Sequence, residues 1–261
     1  MNNVWLMGGF GNVMFQLLVY NKLKREKENV FLVNSLTKRN ILTKLLGWTI
    51  HQTLYNDLVE QKTIINLNSM YCFFIVFIAF LSKKFRIKFR LATFYSEDLQ
   101  LEKNLSKNIF GYFQNKKFLS SNIKNILIMG DKINKKYCSK NDKTVIHFRM
   151  GDTDWGRRFY YYYEKVKNHV KNEEKPVLIV TDSYKEAITF FNNFKNIKII
   201  KSRNALDDFK LLVSAQKLYC APSTFSWWAA HSTSIETEII MPKFFEENLG
   251  IYMKNKNIQL I

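Results

Sequence analysis

His147, Arg149 and Asp152 leave an apolar segment within six residues, so one strand end carries an imidazole, a guanidinium and a carboxylate. Arg149 offers a planar fork of donors that matches a diphosphate. Asp152 can orient that fork or hydrogen-bond a sugar hydroxyl. His147 is either a core histidine at a strand end or a group that polarises a hydroxyl. Arg157 and Arg158 follow in the next loop, as added charge for the same pocket or as solvated cations. Asp152-Thr153-Asp154 also fits a D-x-D pattern able to hold a divalent metal. With Arg149 alongside, fixed cations neutralise phosphate without one, so no metal is expected. No Ser-His-Asp or Cys-His arrangement is convincing, because Cys220 lies within an apolar strand.

A second cluster is Ser223-Thr224-Phe225-Ser226-Trp227-Trp228-Ala229-Ala230. It follows the short apolar segment 217–221 and reads as a strand, a turn at Pro222 and the opening of a helix. Hydroxyls and helix N–H groups then face one point, which suits an anion. The competing reading is a packed helix start with no ligand. A third cluster is Thr181-Asp182-Ser183. A fourth, Gly8-Gly9-Phe10-Gly11-Asn12, stands between a strand and a helix, where glycines let backbone N–H groups approach a ligand. Its spacing is not the dinucleotide fingerprint.

These clusters need elements to hold them. Val4–Met7 reads as a strand, residues from Val13 to Leu23 as a helix with an apolar face, and Val30–Val33 as a buried strand. Met70–Leu81 is an apolar run of 12 residues, too short for a bilayer span of about 20 and therefore a buried helix or strand. Lys83–Arg90 alternates cations with apolar residues, as in an amphipathic strand with a solvated basic edge or a membrane-surface patch. Asn108–Gln114 reads as a strand, followed by a lysine-rich helix. From Thr144 onward strands (144–149, 177–181, 197–201, 218–221, 238–241) alternate with helices (159–170, 184–194, 205–215, 225–231). Strict alternation specifies a parallel sheet with helices on both faces. Ligands of such sheets lie outside the carboxyl ends of the strands, where His147–Asp152, Thr181–Ser183 and Ser223–Ser226 fall. The domains expected are 1–135 and 142–250, joined by a polar link near Asp131–Asp142, with a tail at 251–261.

The 261 residues are 47% hydrophobic and 15% aromatic, the composition of a globular chain. The cysteines Cys72, Cys138 and Cys220 share no metal-ligand spacing, and a reducing compartment fits them. A net charge of +18 admits nucleic acid, an anionic membrane or a phosphorylated substrate as partner. The cations are scattered and no nucleic-acid motif is present, so nucleic acid is the weakest of the three.

Four segments carry a family resemblance. Residues 8–16, Gly8-Gly9-Phe10-Gly11-Asn12-Val13-Met14-Phe15-Gln16, resemble the G-G-L-G-N-Q-M-F-Q opening of the alpha-1,2-fucosyltransferases, glycosyltransferase family 11. Gly111-Tyr112-Phe113-Gln114 resembles that family's G-Y-F-Q, and residues 147–152 its H-x-R-R-G-D. Residues 223–230 are similar to its S-T-F-S-W-W-G-A. The resemblance implies an α/β, GT-B-like architecture, two Rossmann-like domains with parallel sheets facing across a cleft. It implies transfer of L-fucose, with inversion, from GDP-beta-L-fucose to the 2-hydroxyl of a terminal galactose. GDP-fucose would be a substrate, with no cofactor and no metal. The acceptor would be a galactose-terminated glycan such as a bacterial surface polysaccharide unit, lipid-linked or free.

Carried over by position, Arg149 would bind the diphosphate, and Ser223, Thr224, Phe225 and Ser226 would line the phosphate and sugar site. Asn12, with Gly11 beside it, would reach toward the fucose or diphosphate. Asp182 stands in the family's S-D-D, and Asp208 matches an acidic helix position. Three positions depart: Met150 replaces the second arginine of H-x-R-R-G-D, Ser183 the second aspartate of S-D-D, and Phe10 the leucine of the first motif. Asp152, His147 and Asp154 are the candidates to take the acceptor proton. A non-catalytic protein that binds polyanions or membranes, and an enzyme using another nucleotide sugar, are the competing readings. Without a signal peptide at Met1–Trp5 or a bilayer span, the chain is expected in the cytoplasm, with peripheral attachment to the inner face of the plasma membrane.

Overall fold

The computed structural model describes residues 2–26, 29–37, 43–44, 58–59, 63–65, 67–95, 106–139, 142–150, 158–171, 173, 175–201, 204–254 and 257–261. Two compact units divide the chain, Met1–Asn125 and Ile126–Ile261.

The first unit is built on β1 (Asn2–Trp5), α1 (Phe10–Glu26), β2 (Val30–Val33), β3 (Ile64–Ile65), α2 (Ser69–Phe85), β4 (Ala92–Phe94), β5 (Asn108–Phe110) and α3 (Lys116–Ser120). Its sheet has the order β3-β2-β1-β5-β4, and every pair is parallel. The central strand β1 is two residues earlier than the apolar pattern predicts, because Asn2 and Asn3 are buried within it. The NH2 group of each side chain finds a partner that offsets part of its desolvation. Asn2 donates to the Ser106 carbonyl at 2.9 Å and Asn3 to Asn108 Oδ1 at 3.0 Å.

Two expectations in this unit are corrected. Met70–Leu81 is helical but not buried all round. Cys72, Ile75 and Ala79 pack on the sheet, while Met70, Phe73, Phe74, Phe77 and Phe80 face outward. Lys83–Arg90 is not a strand. The first three of its residues complete α2, and Arg86 caps the helix with a left-handed φ of 56°.

α4 (Ile123–Tyr137) runs from the first unit into the second, so the polar stretch expected as a link from Asp131 is helical as far as Tyr137. The second unit continues with β6 (Thr144–Phe148), α5 (Tyr160–Val170), β7 (Val177–Thr181), α6 (Tyr184–Phe190), β8 (Ile197–Lys201) and α7 (Ala205–Val213). β9 (Lys217–Tyr219), α8 (Thr224–Ala230), β10 (Glu238–Met241), α9 (Phe244–Asn248) and β11 (Ile258–Leu260) complete it. Strand order is β11-β10-β9-β6-β7-β8, again parallel throughout. β6 and β7 are buried at every position, which is why neither alternates: β7 opens on four apolar residues, and β6 is apolar apart from Thr144 and His147. The segment 251–261, expected as a tail, ends in the edge strand β11, paired with β10.

The core of this unit gathers Ile146, Phe148, Tyr163, Val166, Val177, Ile179 and Phe191. Trp227 and Trp228 are fully buried on α8. Trp227 Nε1 donates to the Gly250 carbonyl at 2.9 Å, and its ring stacks on His231 at 3.6 Å. Burying an indole of this kind stabilises by about 3 kcal/mol, provided its N–H has a partner.

Candidate functional site

Because β9, β6 and β7 are neighbours in the second sheet, their carboxyl ends share one rim. Phe148 and Thr181 are register partners, so the next residues, Arg149 and Asp182, emerge side by side. Arg149 Nε lies 3.8 Å from Asp182 Oδ2, with both side chains partly exposed. At that distance the contact is an ion pair rather than a hydrogen bond, and solvent access keeps it weak. Asp182 also accepts from Ser183 Oγ at 2.8 Å, while the Ser183 N–H donates to Thr181 Oγ1 at 2.9 Å. Ser183 thus serves as a partner of Asp182 at the position where the S-D-D pattern has a second carboxylate.

Two tyrosines that sequence reasoning passed over hold this rim. The Arg149 N–H donates to Tyr163 Oη at 3.0 Å, and Tyr163 Oη–H donates back to the Arg149 carbonyl at 3.3 Å. Its neighbour Tyr162 donates to the Cys220 carbonyl at 2.6 Å. Adjacent residues of α5 therefore pin the ends of β6 and β9. Burial drives the pKa of both phenols upward, so they stay protonated and able to donate. The one hint in the sequence is the run Tyr160–Tyr163, where aliphatic residues would have filled a core without offering hydroxyls.

His147 is buried within β6, and its Nδ1 lies 2.7 Å from Ser226 Oγ. Ser226 Oγ accepts from the Ala221 N–H at 2.9 Å. Donation of the hydroxyl proton to Nδ1 gives it a partner and leaves the imidazole proton on Nε2. Burial, with a smaller push from the Arg149 charge and an opposing pull from Asp182, lowers the His147 pKa to about 3. A neutral imidazole with Nδ1 engaged has little capacity to take up a proton near neutral pH. Its evident task is to hold Ser226 and, with it, the first turn of α8.

Ser226 itself is fully buried, so its hydroxyl is committed to Ala221 and His147 rather than turned to a ligand. Ser223 caps α8, its Oγ accepting from the Ser226 N–H at 3.2 Å. Ser223, Thr224 and Phe225 are partly exposed and make the accessible part of the motif. The Phe225 ring stands 5.5 Å from His147 and 5.1 Å from Phe209. Asp208, adjacent to Phe209, is in the first turn of α7, with its N–H bonded to the Asn204 carbonyl at 3.3 Å. Met150 packs against the apolar core of the second unit, which accounts for a thioether at a position where the family motif carries a cation. Asp152, Asp154 and Arg157 lie outside the described residues. Arg158 is exposed.

In the first unit, the segment 8–16 and the segment 111–114 form one knot. Gln16, fully buried, accepts from the Met7 N–H at 2.9 Å and donates to the carbonyls of Met7 at 3.2 Å and Gly111 at 3.0 Å. Gln114 donates to Asn12 Oδ1 at 2.7 Å. Gly8 has a φ of +79°, and a Cβ there would stand 2.6 Å from Asn12 Nδ2, so any other residue would be strained at this turn. Gly11 is buried and Asn12 half-buried at the start of α1. No cluster of His, Cys, Asp or Glu able to hold a metal is present among the described residues.

No protein-family profile matches the chain. It is 27% identical to the O-antigen biosynthesis glycosyltransferase WbnK of Escherichia coli, over 54% of this chain and 56% of that protein. Among solved structures it resembles the NodZ alpha-1,6-fucosyltransferase co-crystallized with GDP, at a TM-score of 0.44 and 13% identity, covering 89% of this chain and 92% of the other. The fucosyltransferase NodZ from Bradyrhizobium gives the same TM-score at 12% identity, with the same coverage. The chain thus spans a little over half the length of the curated glycosyltransferase it matches, 56% of it.

Proposed function

We propose that the protein is a glycosyltransferase that moves L-fucose from GDP-beta-L-fucose to the 2-hydroxyl of a terminal galactose, with inversion and without a metal. The observation that carries this reading is the rim of the second sheet. Arg149, Asp182 and the capped start of α8 share that rim, in segments that resemble the alpha-1,2-fucosyltransferase motifs. The 27% identity to an O-antigen glycosyltransferase supports the reaction class.

In this reading Arg149 binds the diphosphate and stabilises charge on the departing GDP. Asp182 orients Arg149. Ser223 and Thr224 hydrogen-bond phosphate or sugar oxygens, and Phe225 lines the site. His147 and Ser226 keep α8 in place, and Tyr163 fixes the backbone that carries Arg149. Asn12 and Asp208 are assigned to the donor by their motif positions. Asp152 or Asp154 takes the acceptor proton.

A side-by-side assay of GDP-fucose, GDP-mannose and UDP-sugars with galactose-terminated acceptors tests the proposal. Transfer from GDP-fucose alone, linked to the galactose 2-hydroxyl by product analysis and retained in excess EDTA, is the outcome expected. Turnover of another donor would assign the site, with its Met150, to a different nucleotide sugar. Loss of activity in EDTA with recovery on manganese would move Asp152 and Asp154 to metal ligands.

A further inference from the structure

The outward face of α2 plays no part in the site described above, and its chemistry is distinctive. Met70 is 84% exposed, and Phe73, Phe74, Phe77 and Phe80 are between 51% and 61% exposed. Their helical spacing sets them on one face. The opposite face is fixed to the sheet of the first unit, where Cys72, Ile75 and Ala79 enter the core and Ser82 Oγ accepts from the Phe94 N–H at 3.1 Å. The aromatic face is therefore held outward by the packing of its back. A contiguous apolar surface of this kind marks an interaction site.

What covers it is indicated by charge. Lys83, Lys84, Arg86, Lys88 and Arg90 follow at once, all exposed, with exposed Phe85 and Ile87 between them. Residues 61–96 contain no Asp or Glu. We infer that α2 and the segment after it form a docking surface for an anionic lipid bilayer, the aromatic face entering the headgroup layer and the cations binding lipid phosphates. Phenylalanines supply the apolar side of an interfacial helix, and long cationic side chains reach headgroups while their stems stay in apolar surroundings. Burial against a second copy would instead press this basic surface onto a chain of net charge +18. α2 lies on the surface in this arrangement and does not cross it, since no described helix is long and apolar enough to span a membrane. The inference stands on α2 and the segment after it, independent of the nucleotide-sugar reading.

The test is cosedimentation of the full chain at low salt with vesicles of phosphatidylethanolamine and phosphatidylglycerol, against vesicles of phosphatidylcholine. Binding to the anionic vesicles alone is expected. K83Q/K84Q/R86Q should weaken it by roughly fivefold for each cation removed. F74S/F77S should weaken it by about tenfold or more, with circular dichroism unchanged because both rings are exposed. Equal binding to both vesicle types, or full binding by F74S/F77S, would overturn the proposal. So would sedimentation equilibrium that finds a dimer dissociated by F74S/F77S, which would assign the face to a second copy.

Discussion

Tyr163 Oη bonds both the N–H and the carbonyl of Arg149, at 3.0 and 3.3 Å, although Tyr163 stands on α5 and Arg149 follows β6. A single phenol thereby closes the backbone of the residue that is to meet the diphosphate. Tyr163→Phe keeps the buried ring and removes only the clamp. It should cost about 1–3 kcal/mol, the penalty for leaving buried backbone groups unpaired, and raise the KM for the donor more than it lowers kcat. A variant less stable but unchanged in donor KM would limit Tyr163 to the core.

Arg149→Ala should reduce transfer by roughly 10²–10³-fold, the usual loss when a charge-stabilising donor is removed. The fold should survive, since Arg149 is partly exposed beyond the end of β6. Arg149→Lys should recover little, because a point charge does not reproduce a planar fork. Near wild-type rates for the alanine variant, measured with GDP-fucose, would remove Arg149 from the site.

Acid should destabilise the second unit earlier than its carboxylates alone would. Burial lowers the pKa of both His147 and His231 to about 3, against 6.5 for a free histidine. His231 Nδ1 donates to the Trp227 carbonyl at 2.7 Å, and Nε2 accepts from the Tyr252 N–H at 3.0 Å, so a second proton has no acceptor to meet. A depressed folded-state pKa means that the unfolded chain binds more protons. The stabilisation is complete above about pH 6.5 and is lost progressively toward pH 3, at about 1.4 kcal/mol per pH unit for each histidine. Urea titrations between pH 7 and 4 should show this slope, and His231→Phe should lower the baseline while reducing it. An unchanged slope in that variant would refute the assignment.

Gln16→Leu should destabilise the first unit by about 3 kcal/mol or more. It strands the N–H and carbonyl of Met7 and the carbonyl of Gly111 in a dry interior. Thermal unfolding measures this directly, and a shift within error of zero would show that water replaces the amide.

The second unit was largely legible in the sequence because burial on both faces makes β6 and β7 mostly apolar without alternation, and because parallel topology forces a helix between strands. The placement of Arg149 and Asp182 on one rim followed from that alternation. Tyr162 and Tyr163 escaped notice because aromatic rings on a helix fit a core pattern, whatever their hydroxyls bond. The inward commitment of Ser226 was equally hidden, since a hydroxyl's direction depends on tertiary neighbours such as Ala221 and His147. On α2, hydrophobicity alone suggested burial. Only the sheet could show that Cys72, Ile75 and Ala79, with Val76 and Ile78 beside them, make the contact and leave the phenylalanines outside.

The pairing of β1 with β5 joins Asn3 to Asn108 in register. Parallel neighbours so far apart in sequence set a timetable for the nascent chain. At a synthesis rate of roughly 5–20 residues per second, β1 waits on the order of 5–20 s for that partner. During the wait one edge of the central strand of the first unit is open, and Trp5 Nε1 lacks Asn108 Oδ1, which it meets at 3.0 Å in the finished fold. Slow synthesis between residues 30 and 108 would lengthen the exposure of a sticky edge, whereas a chaperone bound to β1 would shield it until its partner emerged.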